Sequence, residues 1–569
     1  MAMLGAQVCG DRVSFSVWAP KANRVVLNLN SRQIDMSRNA ADIFHVEANA
    51  KPGDLYSYIV DGSKPLPDPV SRLLPQGVHG PTEIVDPSSF HWTDETWTGL
   101  PYSEYVIYEL HVGTFTPEGA FDGVIGKLPY LKELGVTAIE LMPVAAFPGR
   151  WNWGYDGVSP YAVFAGYGGP EGLKRLVNAA HALGLAVLLD AVYNHLGAEG
   201  NYLGIFGPYF THHHTTPWGD AVNYDDTDSR PVRDYVVENA LYWLREYHID
   251  GFRLDAVQQI KDDSREHIVA ELTCKAKAFG ASVGRVVTVI AEDDRNIASV
   301  LAPLEEGGWG IDGVWSDDFH HSLYTLLTGE KRGYYQDFGH VEQVARALND
   351  GFVFQGEYFN FWEAPRGTVP NGVPLPAHII CIENHDQVGN RAWGERLTEL
   401  TPMQARRLAA AVLLLAPHTP LIFMGQEHDQ HSRFQFFTDY GDPQLQDAVR
   451  KGRREEFRQF GFEEIPDPQD PATFESSKLD WHLNSAQQAM LKWYKWLLIL
   501  RKAFITNSRR SSKANANQSV LEATFGDAKA PVKLRVMFPA SISASRGANE
   551  TDFAFNLVEP WQCTPGEAA

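Results

Sequence analysis

The chain has 569 residues, 44% hydrophobic and 21% charged, with 49 Lys+Arg against 71 Asp+Glu and a formal net charge of −22 at pH 7. That length predicts two or three domains, and the composition predicts an ordinary soluble globular protein. The acidic balance, without a basic tract, excludes nucleic acid and an anionic membrane surface as partners, because both require clustered cations.

The opening segment "MAMLGAQVCGDRVSF" lacks a basic stretch followed by a sustained apolar run, so no secretory signal is predicted. Cys9, Cys274, Cys381 and Cys563 are scattered, with no CxxC pair and no disulfide-type spacing, which predicts a reduced, cytoplasmic protein. Across residues 1–95 the runs "RVSFSVWAP", "RVVLNLN" and "LYSYIVDG" alternate or are β-branched, with Gly/Pro/Asn turns between them. That pattern predicts a small N-terminal β-sandwich.

A polar connector, "DPSSFHWTDETWTGLPYSE", leads into residues 96–504, where strand-like and helical stretches alternate. The strand candidates are "YVIYELHV", "TAIELMPV", "LAVLLDAVYNH", "IDGFRLDAV", "VVTVIAED", "DGVWSDDF", "HIICIENHD" and "PLIFMG". Several are near-continuous apolar runs, as expected where helices cover the sheet. Helical stretches such as "GPEGLKRLVNAAHALG" end in a glycine suited to a C-cap. Eight βα repeats predict an α/β fold closed into a (β/α)8 TIM barrel. The connections after the third and sixth strands are too long for plain turns, and long loops on one rim are usually functional. "LAAAVLLLAPHTPLIFMG" is interrupted by Pro417 and Pro420, so it reads as a helix, a turn and a strand, with no membrane span expected. "SAQQAMLKWYKWLLILRKAF" reads as a terminal amphipathic helix, and residues 505–569 as a small C-terminal β domain.

Polar residues gather where these strands end, the rim on which barrel enzymes keep their sites. Asp190 and His195 follow the third strand, Arg253 and Asp255 end the fourth, and Glu292 ends the fifth. Asp317 to His321 follow the sixth, and His385 and Asp386 the seventh. In "GFRLDA", residues two apart share a side, so Arg253 and Asp255 face one way and Phe252 and Leu254 the other. Converging carboxylates, with no cysteine cluster and no phosphate-cradling glycine loop, fit glycoside hydrolysis, which needs two acids in different protonation states. Arg253 is positioned to keep Asp255 a carboxylate, and the apolar run before Glu292 favours its protonated form.

"LLDAVYNH", "GFRLDA", "AED" and "ENHD" resemble, in order, the four signature segments of the α-amylase superfamily of retaining glycosidases. "GAEGNYLGIFGPYF", "WSDDFHH" and "NHDQVGNRAWGERL" are most similar to its trehalose-releasing branch, and the likeness runs over about residues 10–500. The resemblance implies a starch-binding-like N-domain, a (β/α)8 barrel and a C-terminal β domain. It also implies that Asp255 is the nucleophile, Glu292 the acid/base and Asp386 the third carboxylate. Arg253, Leu254, Ala256, Val257 and Gln258, then Asp317, Asp318, Phe319, His320 and His321, match substrate-contacting segments. So do His385, Gln387, Val388, Gly389 and Asn390, while His195, Tyr155 and Asp156 match the lining of the non-reducing-side subsite. The implied substrate is maltooligosyltrehalose or a related α-glucan, cut at the α-1,4 bond next to its terminal trehalose. A glucan branching or debranching enzyme, or a glycan-binding barrel without catalysis, are the alternative readings.

No cofactor and no metal ligand are expected. Consecutive histidines in His212–His214 do not share a face in regular structure, so they read as a solvated or sugar-contacting loop. Asp190 and Asn194 read as structural hydrogen-bonding groups more than calcium ligands. Trp151 and Trp153 read equally well as sugar platforms or as packing. Gln426 and His428 depart from the family pattern, which would place an acid and a tryptophan there.

Overall fold

The computed structural model describes residues 4–458, 462, 464–505, 511–526 and 531–539, with the backbone of 554–558. Two four-stranded antiparallel sheets form the N-terminal region. One orders Gly5–Cys9, Arg12–Trp18, Ile43–Ala48 and Ser37–Arg38, and the other Arg32–Asp35, Val25–Leu29, Leu55–Val60 and Thr82–Glu83. Alternation does the work here: Val13, Phe15 and Val17 point inward against Val25, Leu27 and Tyr58, all buried in one apolar cluster.

Eight parallel strands then close into a barrel: Ile107–Leu110, Ala138–Leu141, Ala186–Ala191, Gly251–Leu254, Thr288–Ala291, Gly313–Trp315, His378–Ile380 and Thr419–Phe423. Seven lie inside the strand stretches expected from the sequence and the eighth begins one residue earlier, at Thr419; nearly every residue in them is buried. Gly251 stands opposite Thr288 in the fourth–fifth pairing, where a Cβ would lie 2.1 Å from the Thr288 carbonyl oxygen. Only glycine lets these two strands approach so closely.

The stretch around Pro417 and Pro420 forms the helix Met403–Leu415 followed by the eighth strand. Among the described residues no helix is long and apolar enough to cross a membrane. The long connection after the third strand contains the hairpin Phe210–Thr216/Gly219–Val222, which stands beside the rim. Helix Ser485–Phe504 packs against helix Met403–Leu415, and beyond it Ser512–Asn517, Val520–Phe525, Val532–Met537 and Ala554–Val558 form an antiparallel sheet. Asn349, on helix Val341–Asp350, pairs with the backbone of Ala514 in both directions, at 2.8 and 2.7 Å, and so docks this sheet on the barrel. The rest of the expected C-terminal domain, within 505–569, lies outside the described residues.

Gln426 and His428 face the outer layer instead of the rim. Gln426 donates to the Tyr494 hydroxyl at 3.0 Å, and His428 pairs with Glu427 at 3.0 Å. Glu427 also accepts from Tyr108 and Tyr130. The departures from the family pattern therefore fall in a buried network that ties the eighth strand to the terminal helix.

The N-terminal region is fastened to the barrel by buried charge: Arg72 holds Glu246 at 2.7 and 3.1 Å. Just before the fourth strand, the fully buried His181 bridges Asp94 at 2.8 Å and Asp250 at 2.9 Å. Burial opposes its charged form, but the hydrogen bonds to Asp250 and Asp94 prevail and raise its pKa above the usual 6.5. A raised value means that this contact stabilises the fold fully below pH 6.5 and is lost as pH climbs through the higher folded-state value. The melting-temperature gap between wild type and His181→Ala is therefore expected to be largest in mild acid and to narrow on the alkaline side. A gap independent of pH would rule out the charged bridge.

Candidate active site

The site is built around one guanidinium. Arg253, on the fourth strand, is fully buried and flanked in register by Asp190 on the third strand and Ile290 on the fifth. Its Nη1 donates to Asp190 at 2.8 and 2.9 Å and to Asp255 at 2.8 Å, and its Nη2 donates to Glu292 at 2.6 Å. The Trp315 ring lies 4.2 Å from the guanidinium carbon and closes the remaining side. The alternation expected of "GFRLDA" is realised: Arg253 and Asp255 meet on the inner side, while Phe252 and Leu254 are buried in the apolar core.

Asp255 is held at both oxygens, by Arg253 at Oδ1 and by the Asn194 amide at Oδ2, 2.6 Å away. Ala256 follows in the left-handed region at φ 38°, a conformation that costs a non-glycine residue about 1–3 kcal/mol. This turn directs the Ala256 N–H onto Glu292 Oε2 at 2.9 Å. Val257, itself in the core, donates its N–H to the Glu292 carbonyl at 3.0 Å. Burial pushes the Glu292 carboxyl well up; Arg253 opposes this, and the charges of Asp255 and Asp386 reinforce it. Nucleophile candidate and acid candidate thus share one guanidinium but differ in environment.

The seventh strand supplies the second cluster. His385 is buried, with its Nδ1 and backbone N–H both on Glu109, and its Nε2 2.8 Å from the Tyr155 hydroxyl. Burial lowers its pKa, but Asp386 and Glu109 outweigh this and bring it to about 9, so the imidazole is charged near neutrality. Asp386 is the most open of the three carboxylates, 32% exposed, and accepts from Asn390 at 2.9 Å. Tyr155 stacks on His385 and donates to Asp190 at 2.6 Å, joining the two clusters. Burial raises Asp190 to about 6, against the pull of Arg253.

His195 is neutral-leaning: burial lowers its pKa, with Asp255 and Asp156 opposing. Its ring carries the half-exposed Trp218 in a parallel stack, 4.0 Å between centroids. Asp156 accepts from Asn152 at 2.5 Å at the same edge. Asp317 is raised to about 7 by burial, against Arg366, and lies 3.5 Å from the Gln387 amide. Gln387 also accepts from Tyr335, and Gln258 keeps its Oε1 buried with no partner among the described residues.

Other expected contact residues serve the frame. Asp318 is fully buried and spent on Asn296, the backbone N–H groups of Val353 and Phe354, and Arg366. Leu254, Phe319 and Val388 are core residues. His320 and His321 form a buried neutral pair 3.0 Å apart, with burial lowering His320 to about 3 and holding His321 well below its usual value. His321 stacks on Tyr334. Gly389 leaves room for Trp153, whose ring would lie 2.1 Å from a Cβ there. Trp153 stacks on Phe434, and Trp151 on Phe474, which settles both as packing.

Glu109, Trp218 and Glu140 were not singled out in the sequence. The signal for Glu109 and Glu140 was present, a carboxylate amid each of the apolar runs "YVIYELHV" and "TAIELMPV". Neither Glu140 oxygen has a hydrogen-bond partner among the described residues, and burial pushes its carboxyl well up, so it stands as a neutral acid inside the barrel. His212–His214, expected in a loop, lie on the hairpin strand Phe210–Thr216 and do have carboxylate neighbours. His212 meets Asp220 at 2.9 Å, and His214 meets Asp225 at 2.7 Å. Asn194 donates to Asp255, and Asp190 accepts from Tyr155.

The chain resembles known proteins along most of its length. The carbohydrate-binding module 48 (isoamylase N-terminal domain) family matches residues 3–85, and the α-amylase catalytic domain family matches residues 84–205. A malto-oligosyltrehalose trehalohydrolase of Saccharolobus solfataricus is 45% identical over 516 residues, covering 90% of this chain and 89% of its own. One of Rhizobium sp. is 45% identical over 503 residues, covering 86% and 84%. The crystal structure of a putative alpha amylase from Salmonella typhimurium superposes with a TM-score of 0.87 at 39% identity, covering 94% of this chain and 93% of that one.

Removing the guanidinium would strand buried carboxylates without their counter-ion. Arg253→Met is expected to destabilise the protein by about 3–5 kcal/mol, read as a lower guanidinium unfolding midpoint. An unchanged midpoint would show that the carboxylates do not depend on Arg253.

Proposed function

Because the chain belongs to the malto-oligosyltrehalose trehalohydrolase family of glycoside hydrolases on the α-amylase barrel, we propose that it cleaves the α-1,4 bond next to the terminal α,α-trehalose of maltooligosyltrehalose. The products are trehalose and a maltooligosaccharide. The observation that carries the mechanism is the guanidinium shared by Asp255 and Glu292. It puts two carboxyl groups on one pocket while their surroundings differ, which is what a double displacement needs.

Asp255 attacks the anomeric carbon as the carboxylate, with Arg253 and Asn194 fixing its orientation. Glu292 gives its proton to the departing glycosidic oxygen, so the trehalose leaves as a neutral alcohol. The sugar is then held as an ester on Asp255. Glu292, now ionised, takes a proton from water, and that water displaces Asp255 with net retention. Asp386, set by Asn390 and the charged His385, binds sugar hydroxyls as positive charge grows on the ring. Tyr155, Asp156 and His195, with Trp218 stacked over it, line the neighbouring subsite. Asp317 and Gln387 contact substrate from the other side.

The free thiols of Cys9, Cys274 and Cys381 fit a cytoplasmic setting, and the charge of −22 disfavours nucleic acid as a partner. The chain divides into a glucan-binding-type domain at 1–95, the catalytic barrel at 96–504 and a C-terminal domain at 505–569.

Incubation with maltooligosyltrehalose is expected to release free trehalose, with little attack on plain maltooligosaccharide; rapid cleavage of the plain glucan would overturn the reading. Asp255→Ala and Glu292→Gln should each lower kcat by orders of magnitude with an unchanged circular dichroism spectrum. Near-normal turnover in either would remove it from its role. Because the Glu292 pKa is raised, kcat/KM should hold to higher pH than an ordinary carboxylic acid would allow, falling only as Glu292 loses its proton. An alkaline limb in the range of an unperturbed glutamate would contradict the acid assignment.

A further inference from the structure

On the hairpin beside the rim, His213 and His214 come together with Asp263, which lies in the loop after the fourth strand. One ligand-type atom from each lies within 4.8 Å of the others. The segment is a strand with a register shift between Thr211 and Thr215, and this irregularity turns two consecutive imidazoles toward each other, 4.5 Å between centroids. His214 Nε2 faces two carboxylates at once, Asp225 at 2.7 Å and Asp263 at 3.9 Å. Asp225 abuts this cluster through His214. Its side chain is only 6% exposed, and its Oδ1 is buried with no hydrogen-bond partner among the described residues. The other oxygen, Oδ2, accepts the Asp263 N–H at 2.7 Å, so the carboxylate is fixed in place. The ligand-type atoms that converge are those of His213, His214 and Asp263, and Asp225 orients His214 through the hydrogen bond at its Nε2.

We propose that His213, His214 and Asp263 form a binding site for a divalent transition-metal ion, zinc foremost, with Asp225 orienting the His214 ring. Two imidazoles and one carboxylate are nitrogen and oxygen donors that zinc takes, with a fourth position left for water, while calcium and magnesium prefer oxygen alone. The ion would pin the hairpin to the loop that follows Arg253 and Asp255. Trp218 occupies the turn of the same hairpin and stacks on His195, so occupancy would fix the aromatic wall of the sugar pocket. This goes beyond the hydrolytic reading and does not depend on it.

Titration of the chelator-treated full-length protein with zinc chloride, followed by calorimetry, is expected to show one saturable site per chain. His213→Ala and Asp263→Asn, both exposed positions, should each weaken it by about tenfold or more. His212→Ala, whose ring pairs with Asp220 on the hairpin's outer face, should leave it unchanged. Anomalous scattering at the zinc edge should place the ion between the hairpin and the loop. Absence of saturable binding, or equal affinity in wild type, His213→Ala and Asp263→Asn, would overturn the proposal.

Discussion

A single positive charge sealed from water inside the barrel is the constraint on which the rest of this molecule depends. Arginine cannot shed its proton in a protein, so the charge is permanent and the surrounding groups adjust to it. Its planar fork reaches acids on three strands at once, which the point charge of a lysine would not do. Asp190, Asp255 and Glu292 compete for it, and the competition differentiates them. With Asp190 raised to about 6 and Glu292 pushed well above its usual value, one guanidinium need not balance three full negative charges. Around it the barrel adds Glu109 with the charged His385 and the neutral Glu140, so the interior beneath the sugar pocket is a graded set of protonation states.

Much of this was legible in the sequence, for reasons that differ by element. The eight barrel strands were readable because each is buried on both sides and therefore written as an apolar run. The catalytic candidates were readable because charges at the ends of such runs have no packing explanation, as "GFRLDA" illustrates. Two kinds of feature were not readable. Asp318 and Asp317 are adjacent in sequence, yet one is consumed by Asn296, Arg366 and two backbone N–H groups while the other is drawn toward Gln387. Only the three-dimensional direction of a helix start separates them. The hairpin after the third strand was hidden because a register shift breaks the period on which strand recognition rests, and its carboxylate neighbours lie 11 and about 50 residues downstream.

The polar residues of the rim thus divide between chemistry and fastening, often side by side. His385 and Trp153 touch, but one carries charge to Asp386 while the other fills space over Gly389. Gln426, Glu427 and His428 sit just past the eighth strand, and the contacts they make run outward to Tyr494, Tyr108 and Tyr130. Departure from a family pattern at such positions alters how the terminal helix is anchored, with no direct reach into the sugar pocket.

Gly251 has a bearing that extends past local packing. Glu292 ends the strand paired with the one carrying Asp255, so the spacing of the two acids is inherited from the spacing of those backbones. A methyl group at Gly251 would act as a shim between them at the Thr288 carbonyl, prising apart two groups that it never touches. The spacing of Asp255 and Glu292 is therefore set by an absence of atoms several residues below them. Selection on this enzyme can reshape loops and subsites freely, but this one backbone position leaves no lighter residue to try.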